Sequence, residues 1–229
     1  MSEKTTPAVP VNVQELLAQR ANEMRSRLAS ASADVIRINT SGGFTMPDGT
    51  AGSTLSVVIV DMGARNVYYD KGYTRGAVVP PTCFAVGKCH PDELVPDGSS
   101  PTKQAETCRA CPKNQFGSAT NGKGKACKNQ RVIALATPDA TKGGDNKLFK
   151  LLVPPTSLKA FDTYISTLIA RGVDPMQVVT DISCDTSKGY SVLTFTPTIP
   201  ITDAPRLEAL FELIPVANQL VLASSGSDE

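Results

Sequence analysis

The chain reads as a mainly β, α+β protein: a small antiparallel barrel or strongly curved sheet, flanked by helices and interrupted by one long insertion. Three observations predict this. About seven short runs rich in β-branched residues are bounded by Gly, Pro, Asn and Asp. A single amphipathic helix separates the later runs from the earlier ones. Between about residues 80 and 130 no apolar period survives, and Pro, Gly, Lys, Asn and Cys dominate. The 229 residues suffice for a real core, and 41% hydrophobic with 20% charged residues excludes wholesale disorder. The N-terminus lacks the apolar stretch of a secretory leader, and no run approaches 18 apolar residues. The expectation is a cytoplasmic protein with no membrane association.

Residues 1–10 read as a flexible lead. Val11 to about Ser32 then reads as a helix, with Val13, Leu16, Leu17, Met24 and Leu28 on one face and Arg20, Arg25 and Arg27 interleaved. Residues 1–32 thus form a lead and helix ahead of a barrel domain over 33–229. Asp34–Ile38 is a short strand, and Ser53–Val60 a β-branched central strand. After Met62-Gly63, Arg65–Tyr69 reads as its hairpin partner. Beyond the insertion, Arg131–Ala136 and Lys147–Val153 are strands. Thr156 or Ser157 caps a helix to about Arg171, ended by Gly172, with Leu158, Phe161, Ile165, Leu168 and Ile169 as its stripe. Gln177–Ser183 and Tyr190–Thr196 form a hairpin around Ser187-Lys188-Gly189. Ala204 to about Pro215 is helical, and residues 224–229 form a frayed tail.

A structureless segment as long as 80–130 needs something other than an apolar core to order it. Five of the six cysteines lie there: Cys83, Cys89, Cys108, Cys111 and Cys127. The two-residue spacer of Cys108-Arg-Ala-Cys111 lets both thiolates bind one tetrahedral Zn²⁺ at about 2.3 Å, and Cys83 and Cys127 complete four thiolates. Cys89-His90 offers an alternative ligand. One structural zinc would supply the folding energy that the segment lacks. An iron–sulfur cluster is a minor alternative. A thioredoxin-like redox pair is disfavoured, because no βαβ unit surrounds the Cys-x-x-Cys. Catalytic zinc would need an open position, resting here on His90 with Glu93 or Glu106, whereas an all-thiolate site is closed. Cys184 reads as a small core residue.

Charge is segregated. The chain nets only +1, yet residues 71–131 hold ten basic and four acidic side chains, a net +6, while 132–229 net −4. The basic core, Gly122-Lys-Gly-Lys-Ala-Cys-Lys-Asn-Gln-Arg131, is not a nucleotide P-loop, since Gly-x-x-x-x-Gly-Lys-Ser/Thr is absent. Aromatics are scarce, at 5%, but Tyr68, Tyr69, Tyr73, Phe84 and Phe116 fall in or beside this segment. Ring faces for bases and cations for phosphates are the mixture that single-stranded nucleic acid requires. Tyr68 and Tyr69, adjacent on a strand, must face opposite ways.

Tyr68-Tyr69-Asp70 is followed by Pro80-Pro81-Thr82-Cys83-Phe84. Then come Cys108-Arg-Ala-Cys111-Pro112-Lys113-Asn114-Gln115-Phe116-Gly117-Ser118 and Gly124-Lys125-Ala126-Cys127-Lys128-Asn129-Gln130-Arg131. Over roughly residues 65–135 this resembles a group of bacteriophage-encoded single-stranded DNA-binding proteins with an OB-like fold and a zinc-ribbon insertion. The resemblance implies zinc ligands Cys83, Cys108, Cys111 and Cys127, with Cys89 and His90 as additions to the pattern. Many single-strand binders end in an acidic tail that recruits partners; here only Asp228-Glu229 remains.

The expectation is therefore a non-enzymatic single-stranded DNA-binding protein of phage replication or recombination, working in the host cytoplasm with weak sequence preference. Tyr68, Tyr69, Tyr73 and Phe116 would stack bases. Lys71, Arg75, Lys113, Lys123, Lys125, Lys128 and Arg131 would track phosphates. Its partners would be single-stranded DNA, replication or recombination proteins, and further copies of itself along the strand. The alternative is a zinc-ribbon module that binds a host polymerase or replication factor. A zinc hydrolase or nuclease lacks its acid constellation, because Asp61, Asp70 and Asp185 are scattered.

Overall fold

The structure, a computed structural model, describes residues 35–39, 41–71, 79–141, 143–144, 146–187 and 189–223, together with Val13 and Arg20. The helix expected over 11–32 lies outside the described residues except for those two, which are helical. The expected tail at 224–229 also lies outside them.

One mixed sheet holds nine strands: β1 (Val35–Ile38), β2 (Phe44–Thr45), β3 (Ala51–Gly52), β4 (Thr54–Tyr68), β5 (Cys83–Gly87), β6 (Lys128–Ala136), β7 (Leu148–Val153), β8 (Val178–Asp185) and β9 (Val192–Pro200). Its order is β3-β2-β1-β7-β6-β4-β8-β9, with β5 also on β4. Three helices complete the fold: α1 (Leu158–Ala170), α2 (Ala204–Glu212) and α3 (Ile214–Leu222). The sheet is a curled, open half-barrel, and it is not wholly antiparallel, because β1 joins β7 in parallel (Val35↔Lys150, Ile36↔Leu151). Among the described residues no helix is long and apolar enough to cross a membrane.

The central strand departs from expectation. Met62-Gly63 does not turn; β4 runs through it for 15 residues. A bulge between Ile59 and Asp61 takes up the irregularity. Gly63 is there for close packing: a Cβ would collide with Val221 of α3 and stand 2.9 Å from the Gly87 carbonyl oxygen. β6 follows one edge of β4 from Val58 to Val67, β5 takes the opposite edge over Ala64–Tyr68, and β8 pairs with Thr54–Val57. Five residues of the expected irregular insertion are thus strand β5, and β6 begins at Lys128 rather than Arg131.

The apolar run of β4 is continuous because both faces are buried, as in a sheet covered on two sides. Leu55, Val57 and Ile59 join Ile133, Leu135 and Leu151 beneath the α1 stripe of Phe161, Tyr164, Ile165 and Leu168. Val58 and Val60 face the other way, with Val132 and Ala134, against Leu210 of α2 and Ala217 and Val221 of α3. Phe161 packs edge-on to Phe195 at 5.2 Å, and the Tyr164 hydroxyl meets Thr180 Oγ1 at 2.6 Å. Burial pushes the Tyr164 phenol up. Cys184 is half-buried against this first core.

The capping hydroxyls expected for α1 serve the neighbouring strand instead. Ser157 Oγ accepts the Leu193 N–H at 2.8 Å, and Thr156 Oγ1 donates to the Ser191 carbonyl at 2.7 Å. The single helix expected over 204–215 is two. α2 ends at Glu212 with Leu213 as its cap, and Pro215 takes the first turn of α3, where its missing N–H costs nothing.

Candidate metal centre and nucleic-acid interface

The last five residues of β4 carry the insertion. Its base is a hook between the two halves of the tyrosine–cysteine motif. Thr82 donates its N–H to the Tyr68 carbonyl (2.8 Å) and its hydroxyl to Asp70 (2.7 Å). That hydroxyl holds the Asp70 carboxyl below its ordinary range. Cys83 then enters β5 opposite Tyr68.

Cys108 through Asn114 is a run of tight turns. The Cys111 N–H reaches back to the Cys108 carbonyl, and the Asn114 N–H to the Cys111 carbonyl. The Cys127 N–H donates to the Lys113 carbonyl at 2.8 Å, which folds the far end of the insertion onto its middle. The result places Cys83, Cys108, Cys111 and Cys127 around one cavity of about 10 Å³, beside Phe84 and Asn66. That is room for about one water-sized occupant. All four are buried free thiols. Burial pushes the Cys127 thiol up to about 12, and Cys108, Cys111 and Cys83 add to the effect. Burial also raises Cys108, against a hydrogen bond from Asn66. Cys89 and His90 are exposed and do not line this cavity. Among the described residues no three His, Cys, Asp or Glu side chains stand as a ready-made metal-ion group. The four thiols are the kind of donor a soft tetrahedral ion takes, and the amide residues Asn66, Gln104 and Asn114 also line the cavity.

A buried asparagine network flanks the thiols, and sequence reasoning missed it. Asn129 Nδ2 of β6 donates to Asn66 Oδ1 of β4 (2.7 Å) and to Asn114 Oδ1 of the insertion (2.9 Å). Asn66 Nδ2 donates to the Pro91 carbonyl (2.6 Å), and Asn114 Nδ2 to the Cys108 carbonyl (2.9 Å) and Asp92 (3.1 Å). Lys125 Nζ closes the network on Asn129 at 3.0 Å and stands 3.6 Å from Asp92. Each buried amide thereby finds partners, which the low local dielectric makes necessary. The only sequence hint was the number of Asn residues in a segment whose polarity reads as loop.

The basic and aromatic residues pair with one another. Lys113 Nζ lies 5.2 Å over the Tyr68 ring, Lys128 Nζ 5.5 Å over Tyr69, and Lys125 Nζ 5.5 Å over Phe116. Attraction of a cation to a ring face holds such pairs together. β4 ends at Tyr68, so Tyr69, expected as the next residue of the strand, lies just past it. Phe116 is 83% exposed, so most of its ring meets solvent. Lys71 and Lys123 are exposed. Arg131 is not available in the way its sequence suggested. Its Nε and Nη2 hold the Asp162 carboxylate of α1 at 3.0 and 3.2 Å. Tyr73 and Arg75 lie outside the described residues. Between the insertion and α1 runs a groove of about 370 Å³ that includes Phe116, Lys125, Lys128, Arg131 and Asp162 in its walls.

No protein-family description, curated protein or solved structure matches this chain.

Proposed function

We propose that the chain is a single-stranded DNA-binding protein of the phage replication or recombination type, with an OB-like sheet as its frame and one structural zinc in its insertion. The observation that carries this reading is the set of three lysine–aromatic pairs on the basic insertion and its base: Tyr68 with Lys113, Tyr69 with Lys128, and Phe116 with Lys125. A base that stacks on such a ring brings its phosphate to the same lysine, so one pair serves both halves of a nucleotide. Lys71 and Lys123 extend the cationic track. Cys83, Cys108, Cys111 and Cys127 would hold the zinc as thiolates, and the bound cation would take up charge that burial otherwise forbids. Zinc supplies rigidity there, and binding rather than bond-making is the activity.

Salt-titrated fluorescence anisotropy of labelled oligo-dT and of a duplex, on protein of measured zinc content, tests the reading. Five engaged lysines give a slope of log affinity against log salt of about −3 to −4 on single strands. Phe116→Ala costs about 1–3 kcal/mol of that affinity. Affinity that ignores salt, or no preference for single strands, sinks the proposal. Zinc retained with no DNA binding would favour the protein-interaction module.

A further inference from the structure

The groove between the insertion and α1 has a composition that strand tracking alone does not need. One wall is β6 and the insertion, with Phe116, Lys125 and Arg131; the other is α1 and the turn before it, with Pro155, Leu158 and Asp162. Its volume of about 370 Å³ lies at the low end of the roughly 300–1,000 Å³ typical of small-molecule pockets. Its arginine is already occupied. Arg131 forks onto Asp162 through two hydrogen bonds of 3.0 and 3.2 Å, and its side chain is only 15% exposed, against 48% for Asp162. A carboxylate in this two-point geometry presents the guanidinium with the same pair of oxygens that a phosphate presents. Asp162 lies on α1, a helix that belongs to the core, so its backbone is held within reach of Arg131.

Resting on the single-stranded DNA reading, we infer that this groove seats one nucleotide of the strand. Its phosphate displaces the Asp162 carboxylate from Arg131, and its base meets the exposed Phe116 ring. Asp162 is then an internal competitor. It keeps the Arg131 fork aimed into the groove when the site is empty, and it lowers affinity by the strength of the pair that DNA must break. The displacement is an exchange of one oxyanion for another on the same guanidinium, so no proton or covalent bond moves.

A double-mutant cycle on the zinc-loaded full chain tests this, read as salt-titrated anisotropy of labelled oligo-dT. Asp162→Asn removes the competitor and keeps its shape. Affinity is expected to rise about two- to five-fold, the worth of an exposed ion pair. The salt slope should steepen by about 0.7, one more phosphate neutralised on a single strand. In an Arg131→Ala background the same substitution should change nothing. Glu93→Gln, which removes an exposed carboxylate 3.8 Å from Arg109, controls for loss of negative charge and release of a cation elsewhere on the insertion, and melting temperatures check that each variant folds. Phe116→Ala should lower affinity about ten-fold. If Asp162→Asn gains as much without Arg131 as with it, or gains no more than Glu93→Gln, the inference falls while the DNA-binding reading stands. An unchanged Phe116→Ala variant removes the base from the groove and overturns the seat. If the parent protein binds no DNA, both fall together.

Discussion

The two halves of β4 are held by different physics. From Val57 to Val60 the strand is buried on both faces, under α1 on one side and α2 and α3 on the other. From Ala64 to Tyr68 the same strand carries the insertion, where the buried apolar cluster is only Ala64, Ala85, Leu94 and Cys108. The first half needs no polar chemistry, since each buried Val, Leu, Ile or Phe side chain contributes about 1.5–3 kcal/mol. The second half cannot draw on that source. Four thiols around a small cavity and a set of amides around Asn129 stand in its place. One chain thus joins a framework stable through area to an insertion held by a few directional contacts, and a few directional contacts can be removed one at a time.

The largest effect should come from the thiols. Cys108→Ser, or chelation of the protein as purified, is expected to strip hydrogen-exchange protection from residues 88–127 while β6 and β7 keep theirs. Affinity for oligo-dT should fall by roughly two orders of magnitude as the Lys113, Phe116 and Lys125 positions disperse. Protection that survives complete metal removal would falsify the zinc proposal. Phe161→Ala strikes the opposite half. It empties a fully buried site between α1 and Phe195, and should cost about 3–5 kcal/mol in urea unfolding. Zinc content and DNA affinity in native buffer should not move. A Phe161→Ala protein that loses zinc before it unfolds would show that the two halves are not separable.

Asn129→Ala is a smaller blow to the second half. It leaves the buried Asn66 Oδ1 without a donor, and Asn114 Oδ1 and Lys125 Nζ each short of one partner. The expected loss is about 1–3 kcal/mol. Exchange should quicken locally in the insertion, with zinc still bound. Equal quickening across β7 and β8 would mean that the network supports the whole sheet rather than the insertion.

What the sequence disclosed follows the same division. The β-branched run at 57–60 is legible because burial on two faces leaves an unbroken apolar signature. The α1 stripe is legible because Phe161, Ile165 and Leu168 recur at helical spacing. The four cysteines of the thiol cavity were legible from the Cys108-x-x-Cys111 spacing and the absence of any other cement. The asparagines were not, because Asn in a polar segment reads as turn and only the fold brings position 66 beside 114 and 129. Arg131 read as a free cation for a similar reason: its partner lies 31 residues away on a helix. Met62-Gly63 misled outright. A glycine inside a strand pattern signals a turn, a bulge or a close approach with equal strength, and only the last applies here.

That glycine also gives the mildest way to probe the junction between the halves. Gly63 lies where β4 leaves the shelter of α3 and meets the end of β5. A methyl group there would press on the Val221 side chain and come within 2.9 Å of the Gly87 carbonyl oxygen. The valine can yield, being one side chain on the last turns of α3; the carbonyl cannot, because it belongs to the β4–β5 ladder. Gly63→Ala should therefore cost about 1–3 kcal/mol, the range of overpacked core sites. The strain should divide unequally. Exchange should quicken at the Gly87 end of β5 and in α3, while the thiol cavity beyond Ala85 keeps its zinc. Val221→Ala in the same chain should return part of the loss by opening the space that the new methyl needs. Were residues 62–63 a hairpin turn in solution, the added methyl would meet neither group, and Val221→Ala would add its own cost in full instead of relieving one.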